Sequence, residues 1–336
     1  MGKILKRLAI ILLIFFVVLL TAAIVTAALF EDQIGNRIIA GLNEQLETEL
    51  TVESVDMTVL RTFPNVAANL RGIVLHDTED GVLLEAGRLA FNFGLLSFIS
   101  SEYKVKSVVL ADGALNVRFN RQSQPNFNVF REAEDPAAAD GESDMAVSLE
   151  TARLENMELI YEDAQTRREI LVRIDEAIFS GRFSDRAFDL ESSARLRAGF
   201  AEIDGIRYLV GKQIDYEAEV AVDLEAGAYD LREVDLRIDQ NRFQVSGLVE
   251  AVEGGRLYDL QVASEDGELE GVLQLLPETY RQSLGDFNSS GDFTFQALIQ
   301  GKASRQENPS IQAALQLEDG RITSPRLADD FKDVSF

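Results

Sequence analysis

The chain contains no cysteine, no tryptophan and a single histidine, His76. Without cysteine there are no disulfides, no thiolate metal sites, no cysteine nucleophile and no lipidation at a cysteine. One histidine cannot build a histidine-rich zinc site. A Ser-His-Asp arrangement has only His76 to use, and no Gly-x-Ser-x-Gly elbow surrounds any serine. His76 lies in VLHDTEDG at the polar end of a strand, where a solvated turn histidine is expected. There is no P-loop and no Rossmann glycine pattern. Positive charge is also scarce: 32 Lys and Arg stand against 57 Asp and Glu, a formal charge of −25 in 336 residues. So acidic a body repels phosphate backbones, which argues against nucleic acid as a partner.

What is present begins with an apolar run. Leu8 to Phe30, LAIILLIFFVVLLTAAIVTAALF, holds 23 residues without a charge. At about 1.5 Å per residue it makes about 34 Å of helix, enough for a hydrocarbon core of about 30 Å. Lys3, Lys6 and Arg7 precede it, and Glu31 and Asp32 follow. The positive-inside rule then places residues 1–7 in the cytoplasm and the bulk across the membrane. A cleaved signal peptide is the competing reading, given the small residues Ala22, Ala23, Ala27 and Ala28, but the run exceeds the usual signal core.

Residues 31–48 read as an amphipathic helix, with Ile34, Ile38, Leu42 and Leu46 on one stripe. After Leu50 the period changes to two. Leu89, Phe91 and Phe93 alternate with polar or small residues, as do Phe188 to Ala198, Val234 to Ile238, Phe243 to Val249 and Ile311 to Leu317. Such alternation puts apolar side chains on one face of a strand. Short turn signals at 111–113, 253–255 and 318–320 complete an antiparallel meander. SVVLADGALNV (107–117), TARLENMELIY (151–161) and ALQLEDGRITS (314–324) form a weak repeat that reads as three similar hairpins. Residues 131–144, acidic and holding Pro136, read as a flexible loop, and 267–284 as a short helix ended by Pro277. Carboxylate pairs such as Asp140 with Asp144 or Glu162 with Asp163 carry no specificity for chemistry in so acidic a chain. No catalytic residue, metal site or cofactor is expected, and the chain does not read as an enzyme.

A one-faced sheet has to be covered. By periodicity alone this is either a sandwich whose apolar faces cover each other or an open sheet whose face holds a ligand.

Three segments bear on that choice. They are VESVDMTVLRTFPNVAANLRGIVLHDT (52–78) behind the anchor, LAFNFGLLSFISSEYKVKSVVLADGALNVRFNRQSQPNFNVF (89–130), and the stretch from Leu269 to Phe336 with its Leu276-Pro277 step and Asp319-Gly320 hairpin. In this order they resemble the AsmA family of bacterial envelope proteins, relatives of TamB-type proteins. The resemblance implies a mainly β fold: an N-terminal transmembrane helix, then an elongated antiparallel β-sheet curled into an apolar groove with few short helices. It implies a bacterial inner-membrane protein with residues 49–336 in the periplasm, binding phospholipid acyl chains and supporting outer-membrane phospholipid transport and envelope integrity. A structural or chaperone-like role with outer-membrane assembly proteins is the alternative. Family members are usually longer, so the resemblance implies that this sequence is the N-terminal portion of a larger protein. The expected lining is Leu115, Val117, Phe119, Leu190, Leu196, Val220, Val222, Val245, Phe293, Phe295 and Leu315.

Overall fold

The computed structural model describes residues 39–41, 43–58, 65–94, 105–131, 147–184, 186–284, 288–304, 307–323 and 331–334. The segments expected to be the cytoplasmic tail (1–7), the membrane helix (8–30) and nearly all of the acidic loop (131–144) lie outside them. Among the described residues no helix is long and apolar enough to cross a membrane.

The described chain is mainly strand, in one large open antiparallel sheet with few helices. Its strands are β1 Leu50–Thr58, β2 Asn65–His76, β3 Val82–Gly94, β4 Val105–Phe119, β5 Val147–Asp163, β6 Arg168–Gly181, β7 Ala187–Ile203 and β8 Ile206–Tyr208. They continue with β9 Gln213–Asp223, β10 Ala228–Ile238, β11 Asn241–Val252, β12 Gly255–Glu268, β13 Asn288–Ser304, β14 Ser310–Thr323 and β15 Phe331–Val334. Hydrogen-bonded neighbours follow chain order, with short β8 paired only to β7. Two helices, α1 Leu269–Leu273 and α2 Glu278–Leu284, interrupt the meander between β12 and β13.

The chain divides into two compact units, residues 1–112 with 127–148, and residues 113–126 with 149–336. In the first unit β2 is the central ladder, paired in continuous register with β1, and with β3 in a register that shifts between Leu75 and His76. Its core is tight: Ala68, Leu70 and Ile73 are fully buried. Residues 39–41 and 43–45 are helical, but the helix ends before Leu46, which forms a bridge with Phe130. The amphipathic helix expected over 31–48 therefore stops short. Asn43 ends it by exchanging hydrogen bonds with the backbone of Leu50, using both ends of its amide. His76 closes β2, with Nδ1 3.2 Å from the Gly81 carbonyl oxygen. The turn beyond it is held by the Asp77 carboxylate, which accepts from the Glu79 and Gly81 N–H groups.

The three segments of the weak repeat are not hairpins. Each is one continuous strand, β4, β5 or β14, carrying a left-handed residue where a turn was expected: Asp112 (φ 60°), Asn156 (φ 48°) and Asp319 (φ 51°). Asp and Asn tolerate this conformation better than other side chains, so a turn signal and a bulge signal use the same residues. The register shows the effect at β14, where Ser290 faces Arg321 but Asp292 faces Glu318. The turn at 253–255 forms as expected: Val252 faces Gly255 across a two-residue loop with Gly254 at φ 73°. Because a β-branched side chain cannot take positive φ cheaply, Asn156→Val is expected to cost about 2 kcal/mol, and Asn156→Gly less than about 1. Urea denaturation of the two variants checks this.

The helix expected over 267–284 is divided. Gly267 and Glu268 belong to β12, α1 is only five residues long, and Pro277 starts α2, its carbonyl accepting from Tyr280 and Arg281 N–H. Proline lacks the N–H an interior helical position needs, and it fits a helix start.

The β10–β11 hairpin turns at Asp239 (φ 51°). Its carboxylate accepts from Lys212 Nζ at 2.8 Å and the Gln213 N–H at 3.0 Å. Burial pushes the Asp239 carboxyl up, but these bonds and the Lys212 charge more than reverse it, so it titrates below 3.8. A lowered folded pKa gives stability that is present above the unfolded value and lost as pH falls through the folded one. Asp239→Asn is expected to lose about 1 kcal/mol at neutral pH, and the difference is expected to fade in acid as the pH falls below the usual aspartate range. Denaturation at neutral and at acid pH measures it.

Candidate functional site: an uncovered apolar sheet face

Cross-strand partners in an antiparallel ladder point to the same side. Following them through the second unit gives rows that run across the strands. One row passes Ala152, Phe179, Ser192, Ala218, Val234, Val245, Val262, Ala297 and Ala313. The next passes Gly181, Leu190, Val220, Leu231, Gly247, Leu260, Ile299 and Ile311. A third holds Leu154, Ala177, Ala194, Tyr216, Leu236 and Phe243, and a fourth Met157, Ile174, Leu196, Ile214, Ile238 and Asn241. Only Ser192, Asn241 and the hydroxyl of Tyr216 bring polar side-chain groups into these rows.

No second layer covers this face among the described residues. Among the described residues the strands run close to their hydrogen-bonded neighbours, and α1 lies close to β12 and β13. Leu190, Leu196, Val220, Leu231, Val245 and Leu260 are half-buried, where the middle of a sandwich would bury them fully. Towards β14 exposure rises to 51% at Leu315 and 69% at Ile311. Within the second unit the structure therefore has the open sheet, not the sandwich.

The opposite face is charged. Arg195 and Arg153 pair with Glu176, Arg237 with Asp215 and Arg242 with Asp235, at 3.2–3.4 Å. Beside them Glu191, Glu219 and Glu233 are direct cross-strand neighbours. A depression of about 540 Å³ opens among these long side chains, lined by Glu176, Arg195, Asp215, Asp235, Arg237 and Arg242. Glu176, Asp215 and Asp235 in its lining are already engaged by arginines. At the β5–β6 turn the Asp163 carboxylate caps the backbone N–H groups of Gln165 and Thr166. Burial raises its pKa, and these hydrogen bonds more than offset that, leaving it below the usual carboxylate value.

The expected lining residues come together on the apolar face as follows. Leu190 faces Val220, Leu196 faces Ile214, Val222 faces Phe188, Val245 faces Val234 and Val262, and Phe295 faces Leu315. Leu115, Val117 and Phe119 alternate along the second half of β4, and the Phe119 ring lies 5.9 Å from Tyr161. Val222 and Phe293 are buried, at 6% and 3% exposure. Sequence reasoning missed Leu154, Met157, Tyr229 and Leu231. In each case the alternation slips by one residue, at Asn156 in β5 and at Arg232 in β10, so a strict period of two drops the residues beyond the slip. Tyr258, Leu260 and Val262 were legible by plain alternation. Asn126 has a structural role. It is fully buried, donates from Nδ2 to the Asn116 carbonyl and accepts at Oδ1 from the Arg118 N–H, closing the edge of β4. No protein-family model matches the chain, and no match is found among curated proteins.

Proposed function

We propose that this chain is a membrane-anchored, periplasmic lipid-binding protein of the AsmA type, whose apolar sheet face holds phospholipid acyl chains in transit between inner and outer membranes. The observation that supports it most is the set of uncharged, mostly apolar rows with no second layer over them among the described residues. Water against such a face is unfavourable, and burying methylene groups there contributes about 0.8 kcal/mol each. The rows run across the strands, so an acyl chain lying along them crosses from one strand to the next without meeting a charge. In this reading the sheet curls around the lipid, residues 8–30 tether it to the inner membrane, and no residue performs covalent chemistry. Lipid mass spectrometry on the full chain purified from a bacterial membrane is expected to find copurifying phospholipid. A folded, lipid-free preparation would sink the proposal.

One observation favours the chaperone-like alternative. Among the described residues β14 pairs with β15 only at Gly320 and Ile322, which leaves Ser310 to Leu317 as an uncharged edge. An edge without charge or proline accepts added strands readily. Crosslinking from Gln312 separates the readings: adducts with outer-membrane proteins favour the alternative.

A further inference from the structure

We infer that α1 is a cover over one end of the apolar face, and that this cover must lift for an acyl chain to occupy that end; the inference rests on the lipid-binding reading. Most large side chains in the middle of the face are half-buried, and Met157, Ile174, Ala177 and Ala194 are buried towards β5–β7; at the other end Ser264, Phe293 and Leu317 fall to 1–3% exposure. The helix α1 lies close to β12 and β13, the strands that carry Ser264 and Phe293. It stands directly on Asn241, the polar end of the row through Leu196, Ile214 and Ile238. A Cβ added to Gly271 would lie 2.5 Å from Asn241 Oδ1, so only glycine lets the helix sit this low.

The fit is close but poorly secured. Asn241 is 2% exposed and its Nδ2 donates to the Ile238 carbonyl, yet its Oδ1 has no hydrogen-bond partner. A buried acceptor without a donor favours any state in which water reaches it. A five-residue helix has little stability of its own. The first turn of α2, Glu278 to Arg281, is exposed and adds little burial. These are the properties of a segment that opens locally while the strands beneath stay paired. Lifting it joins Phe293 and Leu317 to the open rows and hydrates Asn241.

The absence of native cysteine makes the test clean. Asn241→Cys with Gly271→Cys places two thiols within disulfide reach, since the Gly271 Cβ would lie 3.2 Å from Asn241 Cγ. Uptake of the fluorescent fatty acid cis-parinaric acid by the full-length double variant in detergent is followed before and after reduction. The expected result is uptake about tenfold slower when oxidised, restored by reducing agent. Equal rates in the two forms overturn the cover. If neither form takes up the probe, the lipid reading fails instead, and hydrogen exchange on the unmodified chain decides the cover by itself. Amides of 269–284 are expected to exchange about 100-fold faster than those in the middle of β12 and β13, and equal protection overturns the proposal.

Discussion

Leu231→Glu combined with Leu260→Glu is expected to abolish phospholipid copurification while leaving the protein folded. The two residues flank Gly247 in one cross-strand row, in the middle of the apolar face. Both are half-buried, and among the described residues neither has a second layer above it. A carboxylate there keeps access to water in the lipid-free protein, so the cost to stability is about 1 kcal/mol per substitution. Against an acyl chain the same carboxylate must be desolvated, and the row no longer offers a continuous apolar path. The two architectures separate sharply on this variant. In a closed sandwich two buried, unpaired carboxylates would cost several kcal/mol each and the protein would unfold. Circular dichroism and thermal melting, read beside lipid content, distinguish the outcomes.

Gly247→Ala is expected to have the largest effect on stability of any single methyl added to the second unit, about 3 kcal/mol or more. Gly247 has φ 126°, a conformation open essentially to glycine. A Cβ there would stand 2.0 Å from the Asp259 carbonyl oxygen, an atom of the neighbouring strand's backbone that cannot swing away. The position faces Leu231 on one side and Leu260 on the other, where β10 also carries its bulge. Here the face is lined by backbone instead of side chain, and the methyl must push β12 away from β11. Urea denaturation of the variant measures the loss.

These two positions show where the sequence was legible and where it was not. Alternation alone identified Leu190, Val220, Val222, Val245, Phe293, Phe295 and Leu315, because strands of 11 to 17 residues repeat the pattern many times. It did not reveal that Gly247 sits within a row, since a glycine carries no periodic signal. Nor did it distinguish a left-handed Asp or Asn inside a strand from the same residue in a turn. The local chemistry of Asp112, Asn156 and Asp319 is that of a turn, and only pairing with the neighbouring strands keeps the chain extended. Leu231 was lost for the related reason that Arg232 shifts the parity between Leu231 and Val234. Whether the face was covered is a question of tertiary packing. A period of two is the same for a sandwich interior and for an open sheet, so exposure at Leu315 and Ile311 had to come from the structure. The α1 segment failed differently: Leu269, Val272, Leu273 and Leu276 have helical spacing, but Pro277 made one expected helix into two.

The central claim is that one face of the sheet carries lipid and the other does not. A photo-crosslinking amino acid at Val220 tests it in living cells, with Glu219 as its control. The two are adjacent in β9 and point to opposite faces: Val220 lies in the apolar row beside Leu190 and Leu231, and Glu219 lies between Glu191 and Glu233. Lipid adducts at position 220 and none at 219 are the expected result. Equal labelling at the two positions, or protein adducts alone at 220, would contradict it.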